Sequence, residues 1–219
     1  MGQIKRYVSA TLAALAVLFS ANGSAAETLV TAFVEGEHYE RLPIAVETNS
    51  GDDVEVVEVF SYACVHCFNF DPVIEAWVSN RADAPMAFTR MPAIFSQDWE
   101  LMAQAYYTAE TLGVLEQVHM AIFEGIHVRR EDLRREDLLG ELFATHADVS
   151  ADDFSTAYNS FSVRSRVQQA KARGRAYRVT GVPMLIVAGK YKVDGRMAGS
   201  NTKMLEIVDY LVQQEHTAD

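Results

Sequence analysis

Two cysteines stand where an apolar strand hands over to a helix, and that junction limits what this chain can fold into. Cys64-Val65-His66-Cys67 holds the only cysteines present. The stretch before it, Val54-Glu55-Val56-Val57-Glu58-Val59-Phe60, has the length and composition of a strand covered on both faces. The stretch after it, Phe68 to Trp77, reads as a helix. The first thiol then sits where backbone N–H groups have no partner within the helix. Such donors favour thiolate over thiol, which is what a redox cysteine requires. Pro72, eight residues past Cys64, has no N–H to donate and is expected to kink or divide this helix.

The chain begins with an export pattern. Lys5 and Arg6 form a basic start, and Val8 to Phe19 forms an apolar run too short to span a bilayer. Ser24-Ala25-Ala26 offers small residues for cleavage. Residues 1–26 are therefore expected to be a secretory signal peptide cut after Ala26. The alternative, a retained anchor, is disfavoured by the short apolar run. Cleavage removes two cations and no acid, so the formal charge moves from −11 to −13. An acidic balance of that size offers no basic surface for nucleic acid. After cleavage 193 of the 219 residues remain, enough for one sizeable core or a core with an inserted subdomain.

An exported protein with one Cys-x-x-Cys can use it in three ways. As a structural staple it closes a very small loop and stabilises little. As half of a zinc site it supplies two of four ligands, and no H-x₃₋₅-H spacing supplies the others. As a reactive pair it needs only the environment described above. The reactive pair is the reading the residues favour, and the other two stay open at this point.

Along the chain, Pro43 and Ile44 to Glu47 could make a short edge strand. Asn49 to Asp52 is a turn. Pro85 to Met91 reads as a strand that completes a βαβ unit with a parallel pair. From Ser96 to Tyr177 only helices are expected. Asp98 is a candidate N-cap, and Gly113 and Gly125 are candidate stops. Ser150 and Asp153 make a capping-box-like start. Arg164, Arg166, Lys171, Arg173, Arg175 and Arg178 mark a basic face, read as solvated. Strands return at Val182 to Val187 and Lys190 to Val193, with Gly189 turning between them, and Asn201 opens a last amphipathic helix. The fold class is α/β. The expected division is 27–95 with 178–219, interrupted by an all-helical 96–177.

Five stretches together resemble the DsbA family of thiol:disulfide interchange proteins. They are Phe33 to Tyr39, Glu58 to Cys67, Phe123-Glu124-Gly125, Tyr158 to Phe161, and Gly181-Val182-Pro183. The resemblance runs over nearly all of the chain beyond the signal peptide. It implies a thioredoxin fold with an inserted helical subdomain. One departure is Val65, where the family commonly has proline.

The resemblance also implies roles. Cys64 is the exposed attacking sulfur and Cys67 the resolving partner. His66 stabilises the Cys64 thiolate by charge or hydrogen bonding. Pro183, preceded by a cis peptide, lies against the pair, and Val182 offers its backbone to a substrate strand, with Val65 beside it. Glu58, a carboxylate in an apolar strand, relays protons to the buried cysteine. The implied activity is donation of the Cys64–Cys67 disulfide to reduced, unfolded exported proteins in the periplasm. A quinone-linked inner-membrane oxidase of the DsbB type would restore the disulfide. The protein is expected to be a monomer without metal or organic cofactor. The rival readings are a disulfide isomerase or reductase, and a chaperone-like module that binds unfolded peptides; a metal carrier is a third.

Overall fold

The computed structural model describes residues 33–218, so the expected signal peptide lies outside the described residues. Its centre is β2 (Val54–Phe60), buried at every position. β3 (Met86–Pro92) pairs with it in parallel, with Val54 opposite Met86 and Phe60 opposite Pro92. β4 (Met184–Val187) pairs antiparallel on its other edge. β5 (Tyr191–Asp194) and the two-residue β1 (Glu40–Arg41) follow, giving the order β1-β5-β4-β2-β3. Flanked on both edges and covered on both faces, β2 can be apolar throughout.

The sheet splits the core in two because strand side chains alternate. Val54 and Val56 join Leu185 and Val187 in a core with α1 (Val65–Ser79) and α8 (Asn201–His216). Val57 and Val59 join Met184 and Ile186 in a second core with the helices that lie between β3 and β4. These are α2 (Gln97–Leu112), α3 (Leu115–Glu124), α4 (Glu136–Ala147), α5 (Ala151–Tyr158) and α6 (Phe161–Ala176). A one-turn α7 (Gly195–Ala198) precedes α8. No helix among the described residues is long and apolar enough to cross a membrane.

Several sequence expectations change. The edge strand is Glu40–Arg41, not Ile44 to Glu47. Ile44 is 79% exposed, so nothing pulls that stretch onto the sheet. It makes one ladder-like bond, from Val46 N–H to the Gly189 carbonyl at 2.9 Å. Helix α1 is not divided: it runs unbroken through Pro72, with Phe70 and Ile74 fully buried on either side of it. Their packing replaces the hydrogen bond that the proline lacks. The N-caps of α2 and α8 are Ser96 and Ser200, not Asp98 and Asn201. Each serine hydroxyl accepts from the N–H three residues on. Gly113 does end α2, with φ +70°, and Ser150 caps α5 with Asp153 as its partner.

Gly125 is not a stop. The chain continues from it as a π-helical turn, Gly125–Arg129. A Cβ there would lie 2.7 Å from both Leu133 Cδ1 and Glu131 Oε2, so those side-chain ends would have to shift to admit one. Gly189 is constrained twice, by φ +60° and by the Val46 carbonyl oxygen, which a Cβ would approach to 2.0 Å. Gly189→Ala is expected to lower stability by about 2 kcal/mol or more, read from thermal or urea unfolding. An unchanged midpoint would mean that this turn does not hold the 44–47 segment in place.

Candidate active site

Cys64 is the N-cap residue of α1, and no side chain caps that helix end. No acidic residue occupies the first turn. The free donors of the turn therefore point at Cys64 Sγ without competition. The Cys64 thiol is pulled down from its ordinary 9.0 to about 6. The largest cause is a hydrogen bond from the Cys67 thiol, opposed by burial. Backbone N–H groups of Cys67 and His66 add to it, and the His66 charge adds a further contribution. The exposed His66 thus lies where the sequence placed it, beside the first sulfur.

Cys67 lies one turn further in and is fully buried. Its thiol is pushed far above the ordinary range, first by the bond to Cys64 and then by burial. The two sulfurs are therefore unequal: one ionises near neutrality and the other stays protonated. Alkylation of the reduced protein is expected to follow a midpoint near pH 6 and to modify Cys64 alone. Cys67→Ala removes the main stabilising donor, so the midpoint should move up toward that of a free thiol. A midpoint of 8 or more in the parent protein would contradict the geometry.

The Val182–Pro183 peptide is cis, as expected from the sequence. The Val182 carbonyl faces the pair and accepts from Cys64 Sγ at 3.6 Å. A cleft of about 620 Å³ opens here, lined among others by His66, Thr180, Val182, Pro183 and Met184. Val65 is 48% exposed at the start of α1. Cys64, His66, Val182 and Pro183 are thus brought together, with Val65 beside them and Cys67 behind.

Glu58 lies beneath this surface and is 1% exposed. Burial pushes its carboxyl up from 4.5 to about 7, against the opposing pull of Arg90. Arg90 is its direct neighbour across the β2/β3 register and donates to it at 2.9 Å. Arg90 also lies 3.5 Å from Asp71 and 2.7 Å from Glu75, both on α1. Although burial opposes it, these three carboxylates hold the Arg90 guanidinium above its ordinary value.

Asp71 continues the network away from Arg90. His119 Nε2 is 2.9 Å from Asp71 Oδ1, and His119 Nδ1 is 2.7 Å from the Tyr62 hydroxyl. Burial holds the Tyr62 phenol well above its ordinary value, so it stays protonated. In the tautomer with hydrogen on Nε2, Tyr62 donates to Nδ1 and Nε2–H donates to the carboxylate, which satisfies all three buried groups. The π-helical turn aims His127 at the same loop: its Nε2 is 2.8 Å from the Tyr62 carbonyl, and its ring stacks on Phe68. Sequence reading missed Arg90, Asp71, His119 and His127. The one available signal was a charged or histidine residue inside an otherwise apolar run, as at Arg90 and His119.

Dithiol chemistry on a thioredoxin-type sheet places this protein among the thiol:disulfide oxidoreductases. Comparison with known proteins narrows the class. Residues 85–209 match the profile of the DSBA-like thioredoxin domain. The chain is 38% identical to the thiol:disulfide interchange protein DsbA of Azotobacter vinelandii, over 90% of this chain and 91% of that one. Among solved structures, Pseudomonas aeruginosa DsbA superposes with a TM-score of 0.80 at 36% identity, covering 85% of this chain and 96% of that one. DsbA from Xylella fastidiosa gives 0.78 at 34%, covering 84% and 98%. The chain belongs to the DsbA family of thiol:disulfide interchange proteins.

Proposed function

We propose that the protein acts as an oxidase, donating a Cys64–Cys67 disulfide to newly exported polypeptides in the periplasm. The observation that carries this reading is the inequality of the two sulfurs at the start of α1. A substrate thiolate attacks Cys64 Sγ, the bond to Cys67 breaks, and Cys67 leaves as a thiolate. Glu58, whose carboxyl titrates near 7, supplies the proton that Cys67 takes up. A second substrate thiolate then attacks the substrate sulfur of the mixed disulfide and expels Cys64 as a thiolate. The substrate loses two electrons and the cysteine pair gains them.

Cys64 is the better leaving group because its thiolate is stabilised. His66 adds a favourable electrostatic contribution to that thiolate. Val182 and Pro183 receive the substrate backbone, with Val65 at the side. Residues 27–95 and 178–219 carry this chemistry, and 96–177 form the inserted helical part. A DsbB-type quinone-linked oxidase of the inner membrane takes the electrons away, and the protein works as a monomer.

The thiolate contribution can be sized. Lowering the Cys64 pKa from 9.0 to about 6 favours the reduced form at pH 7 by at most about 1.4 kcal/mol, or about 30 mV. That is an upper figure, because water screens a half-buried sulfur. Thioredoxin-like proteins span roughly 150 mV between reducing and oxidising members. The thiolate alone therefore supplies at most about a fifth of that range. Equilibration of the pair against glutathione tests the reading. The expected pair is more oxidising than the glutathione couple. A potential near about −270 mV, where reducing thioredoxins lie, would assign the protein to the reductases instead.

A further inference from the structure

A second groove adjoins the loop that carries Val182. Its volume is about 410 Å³. Its apolar floor includes Ile94, Phe95 and Val179, and its cationic rim is Lys171, Arg175 and Arg178. Thr180 lines both this groove and the cleft that contains His66, Val182 and Pro183. The two depressions are therefore contiguous through one residue.

Charge sets this groove apart from the rest of the surface. The chain has 30 acidic residues against 19 lysines and arginines, so a cation has acids to choose from. Among the described residues, all but four of the lysines and arginines form an ion pair within 4.0 Å. Those four are Arg130, Arg164, Arg175 and Arg178. Two of them line this one groove and are exposed. Lys171 beside them is held by Glu100 at 3.1 Å. Helix α6, which supplies Lys171 and Arg175, contains no acidic residue, and Arg178 follows just beyond its end. Phe95 in the floor is half-exposed.

The position relative to the sulfur is also defined. Thr180 precedes by two residues Val182, whose carbonyl lies 3.6 Å from Cys64 Sγ. An extended chain advances about 3.3 Å per residue. A polypeptide joined at Cys64 and laid along Val182 thus reaches the groove two to four residues from its own cysteine. A guanidinium pair there recognises a carboxylate through paired N–H donors.

We propose that this groove selects substrates, taking a segment with a carboxylate between Arg175 and Arg178 and an apolar side chain on Phe95 and Ile94. The proposal rests on the oxidase reading above and names the substrate class of that same site. Its physical basis is local reversal of sign. A chain of net charge −11 repels acidic polypeptides at long range. With screening over about 8 Å at physiological salt, two unpaired cations beside the sulfur overcome that repulsion where the bond forms.

The test uses the oxidised full-length mature protein and three synthetic dithiol peptides of equal length. One is neutral, one has glutamates two and three residues to either side of its first cysteine, and one has lysines there. Second-order rates of peptide oxidation are followed at low and at physiological salt. The glutamate peptide should react about tenfold faster than the lysine peptide at physiological salt, and the advantage should shrink at low salt, where the net negative charge of the whole chain acts at longer range. Arg175→Glu/Arg178→Glu should reverse that preference, while Arg175→Gln/Arg178→Gln abolishes it. Both double variants should oxidise the neutral peptide at the parent rate and keep the parent redox potential. Equal rates for the charged peptides in the parent protein, or equal loss on all three peptides in the variants, would overturn the groove assignment. Failure of the parent to oxidise even the neutral peptide would instead overturn the oxidase reading.

Discussion

Cys64→Ser abolishes oxidation of a reduced, unfolded protein, with an expected loss of roughly a thousandfold or more in rate. Of the two cysteine sulfurs only Cys64 is partly exposed, since Cys67 is fully buried. The thiol left at Cys67 loses its bond to Cys64 but remains fully buried, and burial both disfavours its thiolate and keeps substrate from it. The fold should survive, because serine is smaller than cysteine and still accepts from the first turn of α1.

Cys67→Ser separates the roles of the two sulfurs. It also loses oxidase turnover, because no disulfide can form. Its Cys64 remains an accessible nucleophile, however, and serine can still donate to it. That variant should form a stable mixed disulfide with a small aromatic disulfide, while Cys64→Ser should not. The readouts are refolding of a reduced disulfide protein and mass spectrometry of the trapped adduct. Retention of more than a tenth of parent activity by Cys64→Ser would remove the sulfur from the mechanism. Equal trapping by both variants would remove the asymmetry on which the reading rests.

Features governed by neighbouring residues were legible in the sequence. β2 could be read from five Val and Phe residues in a row of seven, and the junction at Cys64 from the change of period that follows. Gly113 could be read as a stop because its surroundings are open and only its φ matters. Gly125 could not, because its glycine answers to Glu131 and Leu133, six and eight residues away, which fold back over it. The sequence does not distinguish a glycine that ends a helix from one that makes room beside it. β1 has two residues, too few to show any period, and its place is set by β5, some 150 positions later.

The charged groups under the site were half legible for the same reason. Glu58 stands out because an apolar strand surrounds it. Its partner does not, because Arg90 becomes the neighbour of Glu58 only through the parallel register. Asp71 looks like an ordinary helix residue until α1 is turned so that Cys67, Phe70, Ile74 and Trp77 face inward, which carries Asp71 in with them. His119 reaches Asp71 from α3, across a separation of 48 positions. A cysteine pair and a distant proline can be read in order along a chain. A buried hydrogen-bonded network is a property of the packing.

That network predicts the second large effect. Arg90→Leu leaves Glu58 and Asp71, 1% and 3% exposed, without their shared cation. Removing one partner of a buried ion pair costs about 3–5 kcal/mol, and the cost here should depend on pH. Glu58 has a folded pKa of about 7 against an ordinary 4.5. A carboxyl raised in this way contributes stability that is complete below pH 4.5 and is lost as pH rises through 7. In the parent protein that loss amounts to about 3 kcal/mol across the window.

Without Arg90, Glu58 is still neutral at pH 5, so the variant should lose least there and most at pH 8. Glu58→Gln keeps an acceptor for Arg90 and removes the titration. Relative to the parent it should gain stability as pH rises from 5 to 8. Combined with Arg90→Leu it should recover much of the loss at pH 8, because no charge then has to be buried at position 58. Urea unfolding of the reduced proteins at the two pH values provides the readout. A penalty for Arg90→Leu that is the same at pH 5 and pH 8 would show that Glu58 does not titrate between them. Its part in moving a proton to Cys67 would then fall as well.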